Sequence, residues 1–401
     1  MARLDNTGKM LAICGGKVYT MDGTPLEQGC ILIEKGKIVA VGQSLPIPDG
    51  CEVFDATGKV VTPGLIDAHT HLGVYAEPTE WSAEDGNETS GPVTPAMDAL
   101  DAINPADIAF DDALAGGVTT VMIAPGSANA IGGQCVVLKT VRQATVESML
   151  LKRHAGLKIA FGENPRRVYG DKQKAPVTRM ATAYLIRETL QKARDYLKKK
   201  GTKEFTPDFG MDAVLKVLRH EMPLRAHAHR ADDIMTALRI AREFDVEIVL
   251  DHCTEGHLIA EELARREAKA AIGPQLITRA KMELKDKSYR TPAVLDAHGV
   301  KFALISDHPV VPNMFLSVYA GLAVRFGLSP LAALRSVTRD PAEMMGIADK
   351  VGMLAPGRDA DIVVWSGEPL EIASRVEKIW VGGSARDLSA DNGGAATWQQ
   401  K

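Results

Sequence analysis

Four of the ten histidines in this 401-residue chain stand in two His-x-His pairs, His69-Thr70-His71 and His227-Ala228-His229. Side chains alternate faces along a β-strand, so the members of each pair point the same way, one pleat apart. Two neutral imidazoles on one face can bind a single transition-metal ion. The first pair closes the apolar run Val60-Val61-Thr62-Pro63-Gly64-Leu65-Ile66-Asp67-Ala68, and the second closes Leu224-Arg225-Ala226. Further candidates stand at similar places. Glu163 follows Lys158-Ile159-Ala160-Phe161-Gly162, His252 ends Glu247-Ile248-Val249-Leu250-Asp251, and Asp307 ends Phe302-Ala303-Leu304-Ile305-Ser306. A divalent ion among such groups lowers the pKa of bound water towards about 7 and polarises a carbonyl, which is hydrolytic chemistry. Other hydrolase plans are missing from the sequence. His220-Glu221-Met222-Pro223-Leu224 lacks the second histidine of H-E-x-x-H, and there is no G-x-S-x-G elbow.

The elements that must position these residues alternate between strand-like and helix-like patterns, which argues for βα units. Strands are expected at 65–72, 118–124, 135–139, 157–162, 224–229, 246–252, 269–275 and 301–306. Helices are expected between them, including Ile108 to Leu114, Ala181 to Leu197, Ala231 to Phe244 and Gly256 to Ala268. Eight strands with interleaved helices predict a (β/α)₈ barrel, whose reactive groups gather at the C-terminal ends of strands. Five of the ten histidines fall at such predicted ends; scattered histidines would not. The flanks have another texture. Residues 10–60 and 350–383 read as short strands with tight turns, such as the hairpin Cys30 to Gly42 around Lys35-Gly36. The expected division is 1–60 and 347–390 as the two parts of a small β-sandwich, 61–346 as the barrel, and 391–401 as a polar, disordered tail.

Composition narrows the setting. A formal net charge of −4 gives no reason to expect a nucleic-acid or membrane partner. No apolar run approaches the roughly 18 residues of a membrane span, and Met1 to Asn6 lacks the apolar core of a signal peptide. Five dispersed cysteines without a C-x-x-C pair suggest reduced thiols. The expectation is a cytoplasmic protein acting on a small molecule, with self-association left open.

With these residues in place, the sequence resembles the amidohydrolase superfamily of metal-dependent hydrolases, within it the imidazolonepropionase-related and Xaa-Pro dipeptidase-like branch. The resemblance runs from Pro63-Gly64-Leu65-Ile66-Asp67-Ala68-His69-Thr70-His71 to Pro356-Gly357-Arg358-Asp359-Ala360-Asp361-Ile362-Val363. It implies a distorted (β/α)₈ barrel with a small β-sandwich from both chain ends. It also implies one or two divalent metals, zinc first, with iron and manganese as alternatives. By position His69 and His71 match the strand-one ligands, His227 that of strand five, His252 that of strand six and Asp307 that of strand eight. His229 is left to face the substrate. Many members bridge two metals with a carboxylated lysine at the end of strand four; Glu163 is expected to take that place here, with Lys139 as its rival. Asp307 is expected to act as general base and then acid towards the leaving nitrogen.

The expected reaction is hydrolysis of a C–N bond in an amide, peptide-like amide or cyclic amide by metal-activated hydroxide. A metal-dependent deaminase is the alternative within enzymes, weakened because no acid stands beside His227-Ala228-His229. A non-catalytic barrel scaffold is the alternative outside them, opposed by the intact ligand set. For specificity, Arg166, Arg167, Arg279 and Lys281 lie in or near catalytic-face loops and could hold a carboxylate. The small residues of Ala124 to Gln134 could let backbone N–H groups approach a substrate, and the long segment Tyr75 to Met97 could serve as a lid or a subunit contact.

Overall fold

The hydrophobic runs between residues 65 and 304 pair into one sheet, and the runs of the two flanks into another. A computed structural model describes residues 10–78 and 80–388; the tail expected at 391–401 lies outside the described residues. The N-terminal flank forms β1 (Leu11–Val18), β2 (Leu26–Glu34), β3 (Lys37–Gln43), β4 (Glu52–Asp55) and β5 (Val60–Pro63). The barrel strands are β6 (Leu65–Thr70), β7 (Val118–Ile123), β8 (Ile131–Lys139), β9 (Leu150–Ala160), β10 (Leu224–Ala228), β11 (Ile248–His252), β12 (Lys269–Ile272) and β13 (Lys301–Leu304). The C-terminal flank adds β14 (Ile362–Trp365), β15 (Val376–Val381) and β16 (Ser384–Arg386).

All eight expected barrel strands are present, in the order β6 to β13 around the sheet. Closure between β13 and β6 comes from single contacts. Asp307 N donates to His69 O at 3.2 Å, and Ser306 Oγ donates to Asp67 at 2.5 Å. The barrel is distorted at its third strand. β8 is antiparallel to both β7 and β9, whereas the other neighbours are parallel. It also begins at Ile131, so the last residues of the segment expected to be a loop, 124–134, lie in the sheet.

Two apolar layers follow from strand alternation. Inward residues such as Ile66, Ala68, Met122, Val137, Val249, Ala271 and Ala303 pack with Met344, Met345 and Ile347. Outward residues such as Leu65, Val121, Leu157 and Leu250 pack under α1 (Ala109–Ala115), α3 (Arg179–Lys199), α4 (Phe209–Leu218), α5 (Ala231–Phe244) and later helices, while α2 (Glu163–Gly170) follows β9 outside this layer. The amphipathic patterns read at 181–197 and 231–244 are α3 and α5. The segment 256–268 is a short 3₁₀ turn followed by α6 (Ala260–Arg265).

The flanks join in one eight-stranded sheet, β16-β15-β14-β5-β1-β2-β3, with β4 beside β1. It curls over its own core, where Ile13, Ile31 and Val61 meet Ile362, Val364 and Trp380. Phe54 meets the Trp380 ring edge-on at 5.1 Å between centroids. Cys14 and Cys30 face each other across β1 and β2 and are joined in a disulfide. The expectation of five reduced thiols is corrected accordingly: Cys51, Cys135 and Cys253 are free. Among the described residues, no helix is long and apolar enough to cross a membrane.

Candidate metal centre

Strand ends β6, β10, β11 and β13 meet at one mouth of the barrel and bring two groups of ligand atoms together. His69, His71 and Asp307 form one; His227, His229 and His252 form the other. Within each group the candidate atoms all lie within 4.8 Å of one another. Asp307 Oδ1 lies 3.4 Å from His69 Nε2 and 3.3 Å from His71 Nε2. The two groups adjoin through His69 and His252, whose ring centroids are 5.3 Å apart. The backbone holding them is unusual. His252, Cys253 and Asp307 have φ of 72°, 45° and 58°, the left-handed region that costs a non-glycine residue of order 1–3 kcal/mol. Such strain sits where side chains must be aimed.

Hydrogen bonding fixes most of the rings. His71 Nδ1 lies 2.8 Å from Ala124 O and His252 Nδ1 lies 2.8 Å from Gly273 O, so each directs Nε2 at the centre. His69 Nδ1 stands 3.1 Å from Asp251 Oδ2, while Arg225 donates to Asp251 Oδ1 at 2.6 Å. His227 Nδ1 is buried without a hydrogen-bond partner. His229 differs, with Nδ1 2.7 Å from Thr254 Oγ1 and Nε2 3.6 Å from a carboxylate, Glu283 Oε1.

Burial favours the neutral form, the one that ligates, in four of these imidazoles. Burial pushes His71, His227 and His229 below the usual range, and His252 down to about 4. Asp307 shows the opposite balance: burial favours its protonated form, but His252, His69 and His71 outweigh that and hold it well below the usual carboxylate range. Asp251 is likewise ionised, because Arg225, His69 and Lys158 together outweigh burial. Anchored rings, an orphaned buried nitrogen and an ionised carboxylate together suit a divalent cation.

Two sequence expectations are corrected. Glu163 opens α2, with its backbone N–H donating to Glu283 Oε2 at 3.0 Å, and belongs to neither ligand group. Lys139 ends β8, which runs against its neighbours, so its ammonium emerges at the far mouth of the barrel. There it pairs with Asp359 at 3.0 Å and with Asp361. The lysine that reaches the centre is Lys158 on β9. It is fully buried, 3.2 Å from His69 Nε2 and 3.8 Å from Asp251 Oδ2. Its signal was a charged residue within the apolar run from Ala155 to Phe161. The reading that no acid stands beside the strand-five histidines is corrected as well: Glu283, from the segment between β12 and the helix α7 (Thr291–Ala297), stands 4.0 Å from His227 Nε2. No periodic pattern marks that segment.

Around the mouth, Tyr75 sets its ring edge-on to His71 with centroids 5.5 Å apart, and Asn87 holds the Tyr75 hydroxyl. Asn164 donates to Ser127 Oγ at 2.8 Å. A cavity of about 460 Å³ lies beside this region, lined by Asp85, Asn87, Asn129 and Gly133 and by none of the histidines.

Comparison with known proteins agrees with the geometry. Residues 60–388 match the model of the amidohydrolase family. The chain is 30% identical to an amidohydrolase, tasK, of Hapsidospora irregularis over 89% of its own length, and spans 40% of that protein. It is 27% identical to an imidazolonepropionase of Mesorhizobium japonicum, covering 89% of this chain and 92% of the relative. The crystal structure of an amidohydrolase from Thermotoga maritima superposes with a TM-score of 0.90 at 45% identity, covering 94% of this chain and 99% of that one.

Proposed function

This chain belongs to the amidohydrolase family and is an enzyme acting on C–N bonds; from that premise we propose that it hydrolyses an amide, peptide-like or cyclic amide bond of a small molecule with one or two divalent ions, zinc first. The observation that carries this is the convergence of two three-residue ligand groups at one barrel mouth. In this reading His69, His71 and Asp307 hold one ion, and His227 with His252 the other, with Lys158 of the fourth barrel strand beside His69. A bound ion supplies activated water and polarises the scissile carbonyl.

The chain's own residues do the rest. Asp307 is ionised at neutral pH and takes the proton of the attacking water on one carboxylate oxygen, then returns it to the leaving nitrogen. His229, held through Nδ1 by Thr254, directs Nε2 towards the carbonyl oxygen as it gains charge. Asp251 fixes the His69 ring from behind, and Arg225 keeps Asp251 charged. Tyr75 and Asn87 cover the His71 side of the mouth and limit water there.

Ring deamination is the second reading, favoured by Glu283, which supplies in space the acid that the strand-five sequence lacks. One experiment addresses both. Protein reconstituted with zinc, manganese or iron is assayed for metal and then screened with N-acyl amino acids, dipeptides including X-Pro, and cyclic amides. Bound metal and an amine or carboxylate product are expected. Ammonia released from a ring amine would select deamination, and less than about 0.3 metal per chain would overturn both readings, given the tight binding of such sites.

A further inference from the structure

The segment between β12 and α7 is cross-linked by its own cations. Arg279 donates to Lys285 O and Lys287 O at 3.0 and 3.1 Å, and Lys287 Nζ donates to Gln275 O and Ile277 O, each at 2.5 Å. These bonds fix the turn that carries Lys281 and Glu283. Of the four basic residues expected to meet a carboxylate, Arg279 is thus spent on its own loop. Arg166 donates Nε to Val177 O, and Arg167 lies exposed on α2. Lys281 alone of the four reaches towards the histidines. Its ammonium donates to Asn164 Oδ1 at 3.1 Å and to Glu283 Oε1 at 3.2 Å. Those partners are themselves contacts of the centre, Asn164 Nδ2 lying 3.4 Å from His227 Nε2 and Glu283 Oε1 lying 3.6 Å from His229 Nε2.

Exposure decides which member of the Lys281–Glu283 pair a ligand meets. Glu283 is 3% exposed, and its second oxygen accepts the Glu163 N–H. That oxygen lies so close to Gly162 (φ +79°) that a Cβ there would stand 2.5 Å from it. The Lys281 side chain is 29% exposed, and an ammonium has three donors, of which two are placed. We propose that Lys281 is a specificity-determining residue which receives a carboxylate carried by the substrate a few bonds from the scissile C–N bond, with Glu283 and Asn164 positioning its ammonium. This rests on the amide-hydrolase reading above. Two contacts, of 3.2 and 3.6 Å, separate Lys281 Nζ from His229 Nε2, which is the scale of a small N-acylated amino acid.

The test compares N-acetylglycine with N-acetylglycinamide, which differ only in replacing the carboxylate by a neutral amide. Binding of each to the zinc-reconstituted full chain is measured by calorimetry. The wild type is expected to favour the carboxylate by about tenfold, as a charge-assisted contact allows. Lys281→Met should bring that ratio to about one, and Glu283→Gln should lower it about threefold, both with wild-type zinc content. Lys281→Gln repeats the measurement should the methionine variant not fold. A wild-type ratio below about twofold, or a ratio unchanged by removing the Lys281 charge, overturns the proposal. The function reading fails separately: no amide in the screen would be cleaved, while the Lys281-dependent ratio persisted.

Discussion

Lys139 and Lys158 lie on neighbouring strands, each in an apolar run, yet they serve opposite ends of the barrel. Lys139 closes β8 and points to the far mouth, where Asp361 and Asp359 outweigh burial and raise its pKa. It ties the barrel to the C-terminal flank. Lys158 sits within β9 and extends its four-carbon stem to His69, and there burial lowers its pKa. One lysine is paired with two carboxylates, while the other meets the His69 ring with Asp251 at 3.8 Å. Strand direction produces this difference: a residue at the end of an antiparallel strand arrives at the wrong mouth for chemistry.

The widest test of this contrast is Lys158→Met beside Lys139→Met. Lys158→Met should lower metal content and reduce kcat/KM by about 10³ or more, without lowering Tm. The contrast breaks if Lys139→Met does the same. Instead, Lys139→Met should cost about 3–5 kcal/mol in denaturant unfolding, because it leaves Asp361 buried and unpaired, with metal content unchanged. Its pH dependence follows from the signs. Lys139 has a raised pKa, so its contribution is full below the unfolded value of 10.5 and is lost as pH rises beyond it. Asp359 has a lowered pKa, so its contribution is full above 3.8 and is lost as pH falls through the folded value. The stability gap between wild type and Lys139→Met should therefore hold between about pH 4 and 10 and shrink on either side.

Within the catalytic mouth, His227→Ala should lose metal and turnover together. His229→Ala should keep metal and reduce kcat/KM by about 10–100-fold. Metal lost only from the His229 variant would move the ligand one pleat outward. The smallest effect is expected for Glu163→Gln, with metal content unchanged and stability within about 0.5 kcal/mol of wild type; loss of an ion would restore Glu163 to the centre.

The sequence displayed much of this arrangement. The eight barrel strands were legible from their apolar runs, and His69, His71, His252 and Asp307 from their places at the ends. What remained hidden has physical reasons. Alternation tells which residues share a face but carries no strand direction, so β8 and with it Lys139 were placed at the wrong mouth. A search of strand ends passes over Lys158, because only its long side chain brings it to the centre from within β9. Glu163 follows a strand end in the sequence, but the chain turns at Gly162 and carries Glu163 into α2 instead of to the centre. Glu283 rides on an irregular segment whose path is fixed by side chains donating to its own carbonyls. Cys14 and Cys30 lie 16 positions apart, and only the register of β1 against β2 makes them neighbours.

Gly64 alone separates the flank sheet from the strand that carries His69 and His71. On its other side, β5 is paired with β14, Trp365 donates to Thr62 Oγ1 at 2.9 Å across 303 positions of sequence, and Gly64 N donates to Asp361 O. During synthesis, therefore, β1 and β7 can support the root of the first ligand strand early, but its β14 side is completed only when the ribosome has made the chain through Trp365. Long-range closures of this kind come late in folding. A chain ending before β14 would therefore lack the partner of β5, beside the root of the strand that carries His69.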